Sequence, residues 1–362
     1  MNNKNFITIT LTGCGRVAEH YKFVFKNLNS RKFKIVGVSD LSTDKAISFS
    51  KHFSCPHYTD IKNMLRIEKP DLNIILTPSS SHYPLSKISL NLNCNTITEK
   101  PISMNFVEAE KLKILAKKKR LMFGCVFQNR FNPAIKLLKE KYNNGSFGKI
   151  ITTAVRLRWC RTQDYYNDEW HGTWYHDGGV INQQAIHHLD VLNWINGPVT
   201  EVSSFSTNIL NKLEAEDTAV SIFKFKNKSI GTFEATTSAR PYDHEASLTI
   251  LFEKGIFEIG GIALNKILRF EMFNSKSNFT LLKKKFSENV KTGYGKGHIP
   301  YYENVIKNLL NKSIKSPINI NDSIYTTRLV HALYYSIENK ISCKLSDNKI
   351  SKYLGKNKYK DG

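Results

Sequence analysis

A short strand, a glycine turn and the start of a helix follow one another in residues 6–18, which read Phe6-Ile-Thr-Ile-Thr-Leu-Thr-Gly13-Cys-Gly15-Arg-Val-Ala18. The glycines have the G-x-G-x-x-A spacing that lets a main chain approach a pyrophosphate at a helix N-terminus. A second apolar strand, residues 33–38, leads to Asp40, whose carboxylate would bond ribose hydroxyls and repel a 2′-phosphate. We therefore predict a β-α-β unit that binds NAD in preference to NADP. The alternative for Asp40 is a helix N-cap or turn residue.

Strands and helices continue to alternate up to about residue 127, after which strands joined by short turns dominate. This pattern predicts an α/β fold in two parts: a Rossmann domain with a doubly wound parallel sheet over residues 1–126, and a substrate-binding and oligomerisation α+β domain with a large, mostly antiparallel sheet over 127–350. The Lys-rich residues 351–362 are expected to form a flexible tail. Helices are expected in the second domain over residues 182–195, 301–310 and 323–338.

The composition limits the classes of protein to consider. The chain has 362 residues, and no apolar run approaches the ~18 to 20 residues of a membrane-spanning helix. Its six cysteines are scattered without a C-x-x-C pair, so neither a metal site nor a disulfide framework is expected. The net charge of +22 would suit nucleic acid, but the lysines are spread along the whole chain. We expect no nucleic-acid partner, no membrane association and a cytoplasmic location.

Further polar residues follow the carboxyl ends of predicted strands, at the same edge as the glycine turn. They are Thr77, Pro78, Ser79 and His82 after one strand and Glu99 and Lys100 after another. In this position the Lys100 ammonium would hydrogen-bond a substrate hydroxyl and stabilise a developing alkoxide. An ordinary solvated turn is the alternative.

A candidate proton acceptor lies in the second domain. The turn Asp177-Gly178-Gly179 precedes a predicted helix with Gln183 and His187, four residues apart and therefore on one helix face. A histidine is the natural acceptor for a hydroxyl proton near neutral pH. Asp190 is placed to orient the His187 ring. A packing role is the alternative for His187 and the expectation for His188.

Together these segments resemble the Gfo/Idh/MocA family of NAD(P)-dependent sugar oxidoreductases. The likeness rests on the glycine turn, Thr77-Pro78-Ser79 with His82, Glu99-Lys100-Pro101, and Gly178-Gly179 followed by His187. It extends to the WlbA/WbpB-like branch, which oxidises UDP-N-acetyl-glucosaminuronate at C3. The segments that carry the branch likeness are residues 128–133, 165–166, 170–174, 177–179 and 216–218, and Gly297-His298 with Tyr301-Tyr302. Three positions depart from the usual pattern, namely Ser80, His171 and Gln183.

The resemblance implies that Lys100 and His187 are the catalytic pair, with His187 accepting the hydroxyl proton and Lys100 holding the same oxygen. The residues expected to bind NAD are Gly13, Gly15, Arg16, Val17, Asp40, Thr77, Pro78, Ser79, His82, Glu99, Lys100 and Gln128. The residues expected to contact substrate are Lys100, Arg130, Arg158, Tyr165, Trp174, Gln183, His187, His298 and Tyr301. Arg158 is included as an anion partner on the first long strand of the second domain, where a solvated strand face is the alternative.

The activity implied is NAD-dependent oxidation of a nucleotide sugar in surface-polysaccharide (O-antigen) biosynthesis. The resemblance further implies a homo-oligomer, commonly a tetramer, reoxidation of NADH by 2-oxoglutarate, and an aminotransferase that takes the keto sugar. One alternative is a dehydrogenase of the same family that acts on another sugar or an inositol. The other is a non-catalytic, NAD-binding regulatory or scaffold protein, against which the presence of Lys100 and His187 argues.

Overall fold

Two compact units make up the chain in the computed structural model, which describes residues 5–168, 170–273 and 279–356. The first unit contains the residues up to Phe127 together with His298–Ile324. The second contains Gln128–Gly297 and the residues from Tyr325 on. The first boundary lies one residue from the expected division after residue 126. The segment 298–324 differs from expectation, because the sequence interpretation assigned it to the second domain.

The first unit is a doubly wound parallel sheet. Its elements are β1 Ile7–Thr12, α1 Arg16–Lys26, β2 Phe33–Ser39, α2 Thr43–Phe53, β3 His57–Tyr58, α3 Ile61–Glu68, β4 Leu72–Ile75, α4 His82–Asn91, β5 Asn95–Thr98, α5 Phe106–Lys119 and β6 Phe123–Cys125. The strands have the order β3-β2-β1-β4-β5-β6 with parallel neighbours. The order reverses between β1 and β4, and in such sheets ligands bind at the carboxyl ends of the strands near the reversal. The predicted Rossmann architecture is confirmed.

Apolar strands and capped helices explain this architecture. Ile9 and Leu11 of β1 and Ile74 of β4 expose no surface, as expected of strands that helices cover on both faces. Ser42 and Asn105 cap α2 and α5 with side-chain oxygens that accept main-chain N–H bonds of the first turn. These local signals bring the carboxyl ends of the strands to one edge of the sheet.

The second unit is a mixed sheet with helices. Its elements are α6 Pro133–Asn143, β7 Ile150–Arg158, α7 Gln163–Tyr166, α8 Val180–Gln183, α9 Ile186–Asn196, β8 Val199–Thr207, β9 Thr218–Phe225, β10 Ile230–Thr236, β11 Glu245–Phe252, β12 Gly255–Gly260, β13 Lys266–Met272 and α10 Phe279–Phe286. After these come α11 His298–Leu310, which belongs to the first unit, α12 Ile320–Asn339, which contains a unit boundary, and β14 Cys343–Lys344. The described strands have the order β13-β12-β11-β7-β10-β9-β8-β14. Neighbours are antiparallel apart from β7 and β10, so the expected mostly antiparallel sheet is confirmed.

Among the residues that the structure describes, helices cover one face of this second sheet and leave the other face open. Along β7, Val155 and Leu157 are buried while Arg156 between them is exposed. Asn196 at the end of α9 donates a hydrogen bond to Thr153 of β7, so α9 lies on the face to which Thr153, Val155 and Leu157 point. The open face carries exposed apolar side chains, those of Phe205, Val220, Ile222 and Ile230.

The helix expected over residues 182–195 is in fact two helices, α8 and α9. Between them the Ala185 N–H donates to the carbonyl oxygen of Val180, five residues earlier, which widens the turn and interrupts the helical repeat. The expectation that Gln183 and His187 share one face of a continuous helix was therefore wrong. The two later helices are confirmed as α11 and α12. Within the described ranges no helix is long and apolar enough to cross a membrane.

Residues 351–356 pack onto the second unit, in contrast to the flexible tail expected from residue 351 on. The Ser351 N–H donates to Nδ1 of His331, and the Lys352 N–H donates to the carboxylate of Glu338, both in α12. Leu354 is buried. The buried Leu354 side chain and these main-chain hydrogen bonds hold this segment in place, although its lysine-rich composition is typical of an unstructured tail. The rest of the expected tail, residues 357–362, lies outside the described residues.

Candidate active site

The glycine turn after β1 has the geometry that a dinucleotide site requires. Gly13 has φ of +98°, and a Cβ there would stand 2.8 Å from the carbonyl carbon of Leu76, so only glycine fits. Gly15 is the N-cap of α1 and has open space where a Cβ would be. Arg16, which is exposed, and Val17, which is half-buried, begin the helix. The N-terminus of α1 therefore offers main-chain donors beside a space that suits a phosphate.

Asp40, directly after β2, ties the glycine turn to the turn that follows β2. Its Oδ2 accepts a hydrogen bond from the Cys14 N–H at 2.7 Å, and its Oδ1 accepts one from the Ser42 N–H at 2.8 Å. Asp40 is thus a turn residue, and the same bonds hold its carboxylate beside Gly13 and Gly15. Each oxygen can accept a further bond from a ribose hydroxyl, as the prediction for Asp40 requires.

His82 joins the loops that follow β4 and β5. Its ring is buried, with Nδ1 2.6 Å from the carbonyl oxygen of Pro101 and Nε2 2.9 Å from that of Thr77. Burial lowers the pKa of the ring, although the two carbonyl groups act in the opposite direction. Pro78 is exposed and Ser79 is buried within the loop after β4. His82 therefore shapes the cofactor edge by holding two loops together.

Glu99, which follows β5, is the centre of a buried polar cluster in the first unit. Its Oε1 accepts a hydrogen bond from the Tyr21 hydroxyl at 2.6 Å and lies 3.3 Å from Nε2 of His298. Its Oε2 accepts one from the Lys100 N–H at 3.2 Å, and the Tyr302 hydroxyl lies 2.9 Å from that of Tyr21. Burial, and then the nearby Glu99 carboxylate, raise the pKa of Tyr21 well above its ordinary value, so its hydroxyl stays a donor. The cluster fixes the main chain at Lys100, whose side chain is half-buried.

His298 and Tyr301 lie in the first unit, whereas the sequence interpretation placed them in the second domain as substrate contacts. Both are buried, His298 beside Glu99 and Tyr301 with its hydroxyl donating to the carbonyl oxygen of Cys125 at 3.2 Å. Their positions assign them to the support of the ends of β5 and β6. Only the folded structure brings α11 to these strands. Nothing in the sequence around His298 or Tyr21 indicates that these two residues contact Glu99.

The turn before α8 leads to His187 in the second unit. Gly178 has φ of +75°, and the Asp177 carboxylate accepts a hydrogen bond from the Gly172 N–H at 2.9 Å. His187 lies in the first turn of α9 and is half-buried, and Gln183 ends α8 and is also half-buried. Lys100 and His187 thus belong to different units.

Asp190 is paired with Arg130, and its orienting of the His187 ring stays a prediction. The Arg130 Nε and Nη2 atoms donate to the two Asp190 oxygens at 2.7 and 2.6 Å, and both side chains are buried. The guanidinium also lies over the ring of Trp194, 5.2 Å from its centre. Bidentate pairs of this kind are strong and directional, so the pair anchors α9 to the segment that follows residue 127.

Arg158 pairs with two carboxylates on neighbouring strands. Its Nε and Nη2 donate to Glu234 at 2.6 and 2.8 Å, and its Nη1 donates to Glu245 at 3.2 Å. The bonds from Arg158 hold the pKa of Glu234 below its ordinary value. Arg158 lies on the open face of the sheet, opposite the face that α9 covers. These ion pairs favour the alternative, a strand face that does not contact substrate, and the contact of Arg158 with substrate stays a prediction.

Tyr165 and Trp174 are half-buried among aromatic rings. The Tyr165 ring lies 4.3 Å from that of His171, and the Tyr165 hydroxyl accepts a long bond from Gln184 Nε2 at 3.5 Å. The Trp174 ring lies 5.2 Å from that of Tyr334 in α12, roughly edge to face. Both rings keep exposed surface, as their predicted contact with substrate requires.

Gln128 and His188 are buried. Gln128 begins the second unit, and a Cβ at Gly297 would stand 2.1 Å from its carbonyl oxygen, so these two main-chain segments are in close contact. Burial lowers the pKa of His188 to about 4, and its ring lies 6.3 Å from that of Trp159. His188 is therefore a neutral packing residue, in line with expectation.

The parallel strand order, the glycine turn and the Asp40 carboxylate define a dinucleotide-binding protein, because they fit the pyrophosphate and ribose of NAD. The chain belongs to the Gfo/Idh/MocA oxidoreductase family. The family model described as "Oxidoreductase family, NAD-binding Rossmann fold" matches residues 7–127, and "GFO/IDH/MocA C-terminal domain" matches residues 135–258. The first unit is thus the family's NAD-binding domain.

Solved structures of WlbA dehydrogenases are similar to the whole chain. The one from Bordetella pertussis, in complex with NADH and UDP-GlcNAcA, is 26% identical with a TM-score of 0.89, over 94% of this chain and 98% of that chain. The one from Chromobacterium violaceum, with the same two ligands, is 28% identical with a TM-score of 0.87, over 94% and 96%. A curated relative, D-glucoside 3-dehydrogenase of Escherichia coli, is 28% identical over 53% of this chain and 54% of its own length. The chain spans about half the length of the first curated relatives it matches.

Proposed function

We propose that this protein is an NAD-dependent dehydrogenase that oxidises C3 of UDP-GlcNAcA, the UDP-linked uronate of N-acetylglucosamine. The likeness to two WlbA dehydrogenases bound to this sugar supports the choice of substrate. The role in surface-polysaccharide biosynthesis, with an aminotransferase that consumes the keto product, is part of the same proposal.

The placement of Lys100 is the observation that carries the proposal. Lys100 follows Glu99 at the carboxyl end of β5, in the same unit as the glycine turn and Asp40. A buried cluster of Tyr21, Glu99 and His298 fixes its main chain. A protein that only bound NAD would have no need of a lysine placed at this edge, which favours an enzyme over a scaffold.

The mechanism divides the chemistry between two side chains and the cofactor. The bound NAD would supply the acceptor for the hydride of the sugar carbon. Lys100 donates a hydrogen bond to the hydroxyl oxygen and stabilises the negative charge that develops there. His187 accepts the hydroxyl proton, a role that suits an imidazole near neutral pH. Glu99 and Asp40 prepare the site before the reaction begins, because they fix the main chain at Lys100 and at the glycine turn, respectively.

Oxidation of matched sugars tests this function. Purified protein is mixed with NAD and either UDP-GlcNAcA or UDP-GlcNAc, which lacks only the carboxylate, with and without 2-oxoglutarate. Reduced nicotinamide is followed by absorbance and the oxidised carbon by NMR. We expect faster oxidation of UDP-GlcNAcA, at C3. Faster oxidation of UDP-GlcNAc excludes the proposed substrate, and no nicotinamide reduction with these sugars, free sugars or inositols excludes a dehydrogenase.

The open face of the second sheet supports a homo-oligomer, proposed as a tetramer. Phe205 and Ile222, on neighbouring strands of this face, have 75% and 60% of their surface exposed. Exposed apolar patches of this kind mark interaction sites. The double variant Phe205→Lys/Ile222→Lys should lower the mass measured by light scattering, while Leu41→Lys, at an exposed residue of the first unit, should not. Wild-type protein of monomer mass contradicts the assembly.

A further inference from the structure

A buried carboxyl group, that of Glu216, stands beside the turn that leads to His187, and the chemistry proposed above does not use it. Glu216 lies between β8 and β9 and is 4% exposed. Its Oε1 accepts hydrogen bonds from the Ile181 N–H and from the Tyr334 hydroxyl, each at 3.0 Å. Its main-chain oxygen accepts one from the Val180 N–H at 3.0 Å. Glu216 therefore satisfies the first two main-chain donors of α8.

The turn is built to admit this carboxyl group. Gly179 is the N-cap of α8, and a Cβ there would stand 2.2 Å from Oε2 of Glu216, so no side chain fits. The Gly179 N–H donates to the Tyr334 hydroxyl at 3.0 Å. With glycine at its N-cap, α8 has no side-chain cap of its own and takes its acceptors from Glu216 and Tyr334, which lie in distant segments.

We propose that Glu216, together with Tyr334, is a positioning residue that holds the start of α8 and, through it, the placement of His187. The inference rests on the proposed function, which assigns proton transfer to His187. Three hydrogen bonds in series link Glu216 to the first turn of α9. The Val180 N–H donates to the main-chain oxygen of Glu216, the Val180 oxygen accepts from the Ala185 N–H at 2.8 Å, and the Ala185 oxygen accepts from the His188 N–H at 2.9 Å. The Glu216 carboxylate acts on this series at the next residue, where it accepts from the Ile181 N–H. A displaced Val180 therefore displaces the first turn of α9, in which His187 lies.

The energetics of Glu216 agree with a positioning role. Burial raises the pKa of Glu216 to about 7, and the negative charge of Asp217 adds to this, although the bonds from Ile181 and Tyr334 act to lower it. A buried carboxyl group is unfavourable unless its hydrogen bonds compensate for the lost water. What α8 needs from this residue is an acceptor at Oε1. A glutamine keeps that acceptor and an alanine does not.

The experiment compares Glu216→Gln, Glu216→Ala and Tyr334→Phe with the matched control Tyr325→Phe. The control removes a hydroxyl from the same helix, α12, where it donates to the carbonyl oxygen of Val199 and not to the turn. For each variant, kcat and KM are measured with UDP-GlcNAcA and the NAD dissociation constant by calorimetry. Hydrogen exchange of the Val180 and Ile181 amides reports on the turn without any activity.

We expect Glu216→Ala to lower kcat about 10²-fold, as displacements of about 1 Å do in active sites, with little change in KM or in NAD affinity. Exchange of the Ile181 amide, which loses its side-chain acceptor, should become faster. Glu216→Gln should keep kcat and amide exchange close to those of the wild type. Tyr334→Phe should lower kcat, whereas Tyr325→Phe should not. If Glu216→Ala fails to fold, the comparison of kcat between Tyr334→Phe and Tyr325→Phe tests the inference.

Three results would overturn the inference: wild-type kcat in folded Glu216→Ala, equal impairment of the glutamine and alanine variants, or equal impairment of the two tyrosine variants. Wild-type protein that does not oxidise UDP-GlcNAcA is a failure of the proposed function instead. In that case the exchange measurement still decides, because unchanged exchange of the Ile181 amide in folded Glu216→Ala contradicts the positioning role of Glu216.

Discussion

Replacing Gly13 with alanine is expected to disrupt the NAD site through the main chain. Gly13 has φ of +98°, and the new Cβ would stand 2.8 Å from the Leu76 carbonyl carbon and 2.9 Å from its oxygen. It would also stand 2.8 Å from a methyl group of Thr77, which can rotate away. The Leu76 peptide is less able to move, because its N–H donates to the carbonyl oxygen of Thr12 at 2.7 Å. The glycine turn must therefore shift away from β4.

The size of the effect of Gly13→Ala follows from two contributions. A left-handed conformation costs a residue with a Cβ ~1 to 2 kcal/mol. Overpacking against a fixed neighbour adds ~1 to 3 kcal/mol. The loss of ~2 to 5 kcal/mol is a large fraction of the 5–15 kcal/mol that typically stabilises a folded domain. Because the same shift moves the donors of α1, NAD affinity should fall at least about tenfold, which corresponds to ~1.4 kcal/mol.

Two other glycines separate strain from steric exclusion. Gly145 has φ of +77° and no atom within 4 Å of its Cβ position, so Gly145→Ala measures the strain of the main chain alone. Gly15 has φ of −89° and open space, so Gly15→Ala should leave stability unchanged and weaken NAD binding by adding a methyl group at the phosphate position. Urea unfolding and NAD calorimetry are measured for all three variants. A Gly13→Ala protein that is as stable as Gly145→Ala and binds NAD like wild type would refute this reasoning.

Asp40→Ser should weaken NAD binding and relax discrimination against NADP, and wild-type protein that binds NADP more tightly in calorimetry contradicts the assignment. Lys100→Met and His187→Asn should each lower sugar oxidation by ~10² to 10⁴ with NAD binding retained; near-normal turnover of folded His187→Asn means that the proton goes elsewhere. Leu354→Ala empties a buried position and should cost ~2 to 4 kcal/mol of unfolding free energy, whereas unchanged stability in urea argues for a loose terminal segment. Because burial lowers the pKa of His188 from 6.5 to about 4, the unfolded chain binds this proton more readily. Stability should therefore fall as the pH falls from 6.5 towards 4, by ~3 kcal/mol, and His188→Gln should flatten this dependence in urea titrations at several pH values.

The first unit could be predicted from the sequence because its determinants are local. Gly13 and Gly15 mark the turn after β1, Asp40 marks the end of β2, and the apolar residues of β4 mark a strand buried on both faces. Each of these signals lies within a few residues of the element that it predicts. The sequence prediction failed at residues 184–185, between α8 and α9. The interruption there depends on a main-chain hydrogen bond across five residues, which no pattern of side chains predicts.

The candidate site was harder to predict because the role of a charged residue depends on its partner. Arg130 and Arg158 were both predicted to contact substrate, Arg158 with a solvated strand face as the alternative. In the structure Arg130 is buried and pairs with Asp190, and Arg158 pairs with Glu234 on the open sheet face. Both partners are 60 or more residues away along the chain. A single sequence carries no signal for such pairs, and only the fold distinguishes a residue that supports the site from one that lies outside it.

The two candidate catalytic residues share a form of support that is absent from their local motifs. A buried glutamate accepts a hydrogen bond from a tyrosine hydroxyl of a distant helix in each case, Glu99 from Tyr21 and Glu216 from Tyr334. Each glutamate also accepts a main-chain N–H bond, from Lys100 itself or from the start of the segment that leads to His187. Burial raises the pKa of both tyrosines well above the ordinary value, so each hydroxyl remains a donor throughout the working pH range. The main chain at Lys100 and at the start of α8 is thereby held by partners from distant segments, which is why the motifs around Lys100 and His187 do not show this support.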